Sequence, residues 1–322
     1  MRNGGGIHML KDYAENYKSF VSSAPLPDDF AAYWRDRTQA KTAILRSMEF
    51  NPIEIYNPFS VYERLKISFI SGLSIYAVCV RPSVKDGKFP TVIMYHDLYR
   101  GIRGLHHLTR FPACGYAVIA LDAVDYGSDP EKHPPLWALR NRISDALTLA
   151  AIAETLDFVD EKHVFTWGEG FGGALALDAA AIVPGIEKCA LINPFPAIAC
   201  EKTASDPISA REDGICRRSS NTDNSLYSGI DADDSLYGGI NADDRKLYLP
   251  YIDTANFARF VSSGVLMGVC LMDTVAKPEN QLAIYNSLPA DLPSKQLKLY
   301  PKYAHERVNA FENEVLKFFI SA

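Results

Sequence analysis

The chain lacks any apolar run approaching the roughly 18 residues that cross a bilayer as a helix. Its most apolar stretch, Gly264-Val265-Leu266-Met267-Gly268-Val269-Cys270-Leu271-Met272, reads as a buried strand. It also lacks a basic cluster. With 33 Lys and Arg against 39 Asp and Glu, the formal net charge is -6, which argues against nucleic acid or an anionic membrane as partner. The six cysteines (79, 114, 189, 200, 216, 270) show neither C-x-x-C pairing nor metal spacing. They read as reduced thiols of a cytoplasmic protein, and no cofactor is expected. The N-terminus has neither the apolar core nor the cleavage site of a secretory signal. Residues 1 to 8 are expected to be a leader or tag outside the fold.

At 322 residues and 48% hydrophobic, the chain can bury a large core. A single α/β domain is expected over residues 9 to 322, with an N-terminal helical clasp at 10 to 50 and a polar insert at about 200 to 250. In the clasp, Asp28-Asp29-Phe30 opens an amphipathic helix behind Pro25 and Pro27. Strand signals follow at 54 to 56, 62 to 68, 74 to 80 and 91 to 95, the second and third joined as a hairpin through Ser71-Gly72. Strands and helices then alternate. Strands are expected at 116 to 122, 164 to 167, 188 to 193, 265 to 271 and 295 to 300, and helices at 136 to 156, 281 to 287 and 308 to 320. That order predicts a mostly parallel central sheet with helices on both faces. In the insert, the segment Ser225 to Asp234 recurs almost unchanged as Ser235 to Asp244. Its aspartates lack the spacing and closing glutamate of a calcium loop, so a solvated loop is the better reading.

The run Val164-Phe165-Thr166-Trp167-Gly168-Glu169-Gly170-Phe171-Gly172-Gly173 enters a glycine-dense turn from a strand and leaves as an Ala/Leu helix. This is the form of a nucleophile elbow, G-x-S-x-G, in which the central serine sits exposed at a strained apex. Here the apex is Gly170, which carries no nucleophilic atom. Glu169 beside it is a poor substitute, because its attack on an ester would give an anhydride. Two later residues fit the remaining places of a catalytic triad. Asp273 follows an apolar strand, and His305 follows the last strand and precedes the closing helix, the order in which acid and histidine follow the elbow in α/β-hydrolases.

Together with Asp28-Asp29-Phe30 to Trp34, Tyr251 to Ala258, Leu271-Met272-Asp273-Thr274 and Tyr285-Asn286, these motifs resemble carbohydrate esterase family seven. This is the acetyl xylan esterase and cephalosporin-C deacetylase family of α/β-hydrolases, and the resemblance extends along nearly all of residues 10 to 320. It implies a cytoplasmic, often homo-oligomeric deacetylase fold that acts without a metal on a small acetylated carbohydrate or similar ester. The departures cluster around the reaction centre. The family's G-G-S-Q-G-G reads Gly168 to Gly173, with glycine in the serine's place and Phe171 after it. Its H-G-Y segment reads His96-Asp97-Leu98-Tyr99, which puts Leu98, or with a one-residue shift Tyr99, beside Phe171 as oxyanion donor. Its R-G-Q reads Asp125-Tyr126-Gly127, and the prolines after Thr274 are reduced to Val275-Ala276-Lys277-Pro278. The resulting expectation is a non-catalytic or very weakly active acetyl esterase homologue that binds small acetylated sugars. The alternatives are an active deacetylase whose nucleophile was removed by engineering and a hydrolase using water activated by His305.

Overall fold

The alternation of apolar and polar residues from 60 to 82, broken at Gly72, closes a hairpin that starts a nine-stranded sheet. The computed structural model describes residues 13, 16–84, 87–98, 100–102, 104–122, 136–197, 200–202 and 248–320. The expected leader, the segment Asp125-Tyr126-Gly127, Tyr99 and the duplicated 225–244 run lie outside them.

The strands are β1 (Phe20–Ser22), β2 (Leu45–Pro52), β3 (Ser60–Phe69), β4 (Ser74–Pro82), β5 (Phe89–Tyr95), β6 (Ala117–Leu121), β7 (Val159–Glu169), β8 (Ile186–Ile192), β9 (Cys200–Lys202), β10 (Gly264–Cys270) and β11 (Lys295–Tyr300). The large sheet runs β11-β10-β8-β7-β5-β6-β4-β3-β2. Strands from β6 through β11 in that order are parallel, while β2, β3, β4 and β6 pair antiparallel. This is the expected α/β architecture of an α/β-hydrolase, with a mostly parallel sheet and its antiparallel portion first. Parallel strands covered on both faces are apolar throughout, and β5 illustrates why: Val92 and Met94 enter one buried cluster, Ile93 and Tyr95 the other. Helices α1 (Phe30–Ala43), α2 (Leu105–Leu108), α3 (Arg110–Ala113), α4 (Leu136–Ala153), α5 (Phe171–Ile182), α6 (Thr254–Ala258), α7 (Pro278–Ser287) and α8 (Asn309–Ile320) complete the described elements used below. Residues of α1, α4, α5 and α6 pack in the first cluster with Ile93, and those of α2, α3 and α8 in the second with Val92. Among the described residues no helix is long and apolar enough to cross a membrane.

Two strand expectations are corrected. The clasp contains β2, and residues 54 to 56 form no strand. A bulge between Leu45 and Ser47 breaks the two-residue alternation of β2, so its apolar residues fall out of step with the pattern that marks a strand. Beyond Pro52 the ladder ends, leaving Tyr56 almost fully exposed.

The motifs shared with the resembled family hold the clasp down. Trp34 is fully buried and its indole donates to the carbonyl of Tyr251 at 3.0 Å. Asn256 Nδ2 donates to the carbonyls of Pro25 and Pro250, at 2.9 and 3.0 Å. Asn286 Nδ2 bonds the carbonyls of Tyr17 and Phe20, at 2.6 and 2.8 Å. These amides tie the clasp carbonyls of Tyr17, Phe20 and Pro25 to α6 and α7, which is why asparagines stand there.

Candidate active site

Strand β7 turns into α5 at Gly170, whose φ of 59° and ψ of -128° are strained for any residue with a side chain. The flanking glycines serve close packing: a Cβ at Gly168 would lie 1.9 Å from the Gly172 carbonyl oxygen, and one at Gly172 would lie 2.4 Å from that of Tyr95. The apex itself is crowded by a different group. A Cβ at Gly170 would lie 2.1 Å from Oδ1 of Asp97.

Asp97 sits just past the end of β5, Asp273 past β10 and His305 past β11, and parallel pairing brings these strand ends to one edge of the sheet. His305 lies between the two carboxylates. Its Nδ1 is 2.7 Å from Asp273 Oδ2 and its Nε2 is 3.0 Å from Asp97 Oδ2. The three side chains are 12%, 0% and 7% exposed for His305, Asp273 and Asp97, so little solvent screens them. Burial works against the charged ring, but the hydrogen bonds and charges of Asp273 and Asp97 outweigh it and raise His305 from 6.5 to about 9. At neutral pH the ring is an imidazolium that donates from both nitrogens.

The other oxygen of Asp97 is equally engaged. Oδ1 accepts from the backbone N–H of Leu98 and from that of Phe171, the first residue of α5, each at 2.9 Å. Of the oxyanion donors named in the sequence, the amides of Leu98 and Phe171 therefore converge on one oxygen, which belongs to the protein, while Tyr99, the alternative to Leu98, lies outside the described residues. Asp273 is fixed from behind: its Oδ1 accepts from the N–H groups of Val275 and Ala276, and its Oδ2 from Gln281 Nε2 at 3.2 Å. Its role as a turn former and its contact with His305 are thus served by different oxygens.

Glu169 is turned away from this centre. It is paired with Arg307 at 3.0 Å, and Arg307 is paired with Glu312 at 2.6 Å. Asp97 was overlooked in the sequence as a member of the site, although an aspartate standing where the resembled family has glycine was its signal. Arg100 was also missed. Its Nε lies 3.9 Å from Asp97 Oδ2, and its Nη2 donates to the His305 carbonyl at 3.2 Å. Among the described residues no group of three or more His, Cys, Asp and Glu side chains is arranged to hold a metal ion.

Comparison with known proteins places the chain and its fold. The family model "Acetyl xylan esterase (AXE1)" matches residues 9–198 and 244–322. Acetyl xylan esterase 1 from Thermoanaerobacterium sp. JW/SL YS485 is similar in structure, with a TM-score of 0.73 at 23% identity over 95% of this chain and 97% of that one. The acetyl xylan esterase from Paenibacillus sp. R4 matches with a TM-score of 0.73 at 18% identity, over 95% and 98%. At these identities the likeness is one of fold. The quorum-quenching protein AidA of Acinetobacter baumannii (strain MDR-ZJ06) is 32% identical over 112 residues, which span 33% of this chain and only 37% of that protein.

Proposed function

This chain belongs to the acetyl xylan esterase family, and on that premise we propose that it is an acetyl-ester hydrolase scaffold in which Gly170 stands in place of the nucleophilic serine and acyl transfer is lost or very weak. The observation that carries this reading is the position of Asp97. Its carboxylate fills the volume that a side chain at 170 would enter and occupies both amides that would hold an ester's oxyanion. Asp273 and His305 have the roles of orienting acid and base, Phe171 and Leu98 those of oxyanion donors, and the base has no hydroxyl to deprotonate.

The expected result is that p-nitrophenyl acetate is hydrolysed at neutral pH no faster than by a surface histidine, and that a serine-directed phosphonate leaves the protein unlabelled. A covalent acyl-enzyme forms on neither Gly170 nor the charged ring of His305. Saturable turnover at ordinary enzyme rates, abolished by His305→Ala, would instead establish the water-based mechanism. That mechanism needs the neutral imidazole, about 1% of the ring at pH 7 for a group titrating at about 9.

A binder of small acetylated sugars is the second reading. The two amides suit an acetyl carbonyl, but the sugar ester reaches them only by displacing Asp97. The proposal extends to a cytoplasmic homo-oligomer working without a cofactor. Sedimentation would detect the association.

A further inference from the structure

We propose that Asp97 is itself a nucleophile, and that the site hydrolyses small neutral alkyl electrophiles, such as alkyl halides or epoxides, through an alkyl ester on its carboxylate. The inference rests on the reading that no serine acts at position 170, and it departs from acyl chemistry altogether.

The argument begins with the two oxygens of Asp97. Oδ1 is held by the N–H groups of Leu98 and Phe171, and Oδ2 faces His305 Nε2, which Asp273 supports from the other side. Were Asp97 only filling space, one engaged oxygen would suffice. Instead each oxygen meets the group it would need in one step of a two-step hydrolysis.

An acyl substrate fits this arrangement badly. Both amides are already bound to Asp97, so nothing remains to stabilise an oxyanion on the substrate, and the product would be an anhydride. Attack at a saturated carbon develops no oxyanion on the substrate and needs no such hole. In the first step Oδ2 forms a bond to the carbon of R–X, the C–X bond breaks, and X leaves with the electron pair. Asp97 becomes a neutral ester, one of the two anions that hold the proton on His305 is gone, and the ring releases that proton, to solvent for a halide or to the ring-opened alkoxide for an epoxide.

In the second step a water molecule gives a proton to His305 Nε2 as its oxygen bonds to Cγ of Asp97. The negative charge collects on Oδ1, between the amides of Leu98 and Phe171, where the hole is already formed. Collapse breaks the Cγ–Oδ2 bond. The alkoxide RO⁻ takes the proton back from His305, and the carboxylic acid left on Asp97, with one oxygen from water, passes its hydroxyl proton to Nε2, which restores the carboxylate and the imidazolium. For an alkyl halide the sum is R–X plus water to R–OH plus HX; for an epoxide X is the tethered ring oxygen, and the sum is epoxide plus water to a vicinal diol. The surroundings suit a neutral apolar group: the ring of Phe195 lies 5.6 Å from that of His305, and Phe171 packs 6.1 Å from Phe195. Arg100 places positive charge at the same carboxylate, where an anion is generated.

The probes are 1-bromobutane, 1,2-dibromoethane and styrene oxide. With His305→Gln the first step proceeds and the second stalls, so intact-protein and peptide mass spectrometry should find one alkyl adduct on the peptide carrying Asp97. The Asp97→Asn/His305→Gln pair should carry none. The unaltered protein, turned over in H₂¹⁸O, should acquire ¹⁸O in the Asp97 carboxylate, a readout that depends on no variant folding, and Asp97→Asn should release alcohol at least about 100-fold more slowly. The proposal is overturned if all three probes leave Asp97 of His305→Gln unmodified, or modify only exposed Cys114, while the unaltered protein's carboxylate stays unlabelled. Acetyl-ester turnover by a serine-type route would overturn the preceding reading, whereas absence of the alkyl ester overturns this one alone.

Discussion

Asp97→Gly combined with Gly170→Ser is expected to hydrolyse p-nitrophenyl acetate at least about 100-fold faster than the parent or either single variant, because each change alone leaves the centre blocked or without a nucleophile. In Gly170→Ser the new Cβ meets Asp97 Oδ1 at 2.1 Å and forces a side chain onto a backbone with φ of 59°. Overpacking and backbone strain each cost about 1 to 3 kcal/mol, so that variant should melt well below the parent and show no gain in rate. Asp97→Gly frees the amides of Leu98 and Phe171 and opens the volume at 170, yet supplies nothing to attack. Together the two changes place a hydroxyl beside His305, with Asp273 behind the ring and two donors already aimed at one point. Recovery should remain below that of an intact esterase, since Phe171 stands where the resembled family has glutamine and the 125 to 127 segment also departs from its pattern. A double variant no faster than either single change would mean that the position of Asp97 is not what blocks acyl transfer.

Stability is expected to fall by about 3 kcal/mol between pH 6.5 and pH 9 on account of His305. The folded protein holds this proton up to about pH 9 and the unfolded chain releases it near 6.5, so in that interval the native state binds more protons and stability declines as pH rises. Below 6.5 the contribution is fully present, and above 9 it is gone. A tenfold gain in proton affinity on folding is worth about 1.4 kcal/mol, and the ring is buried enough that solvent screening removes little of it. Urea denaturation at pH 6.5 and pH 9 should show this loss in the parent and not in His305→Gln. Equal pH dependence in the two proteins would show that the ring gains no such stabilisation.

Much of this arrangement is legible in the sequence, for identifiable reasons. Gly168, Gly170 and Gly172 announce a strand-to-helix turn because only glycine tolerates the close approach of α5 to β7 at 168 and to β5 at 172, and the φ of 59° at 170. Asp273 and His305 are legible because each is a polar residue directly after a strand of a parallel sheet, where strand ends share an edge. The architecture follows from periodicity, and β2 escapes it because a bulge puts its apolar residues out of step. Asp97 escapes for another reason. Nothing in its local sequence separates a turn-forming aspartate from one whose carboxylate reaches the elbow, since the contact joins positions 74 apart in the chain. The paired signal was that a glycine is lost at 97 where a side chain is lost at 170, and it becomes meaningful only when the two share one volume.

The central claim, that the Asp97 carboxylate takes the place of a serine oxygen between His305 and the amides of Leu98 and Phe171, is tested most directly by following the His305 ring nitrogens by ¹H–¹⁵N NMR across pH 5 to 10 in the parent and in Asp97→Asn. The account predicts an imidazolium protonated on both nitrogens at pH 7, titrating near 9 in the parent and at a lower pH once Asp97 is neutral. A ring that titrates near 6.5 in the parent, with a midpoint unmoved by Asp97→Asn, would contradict it.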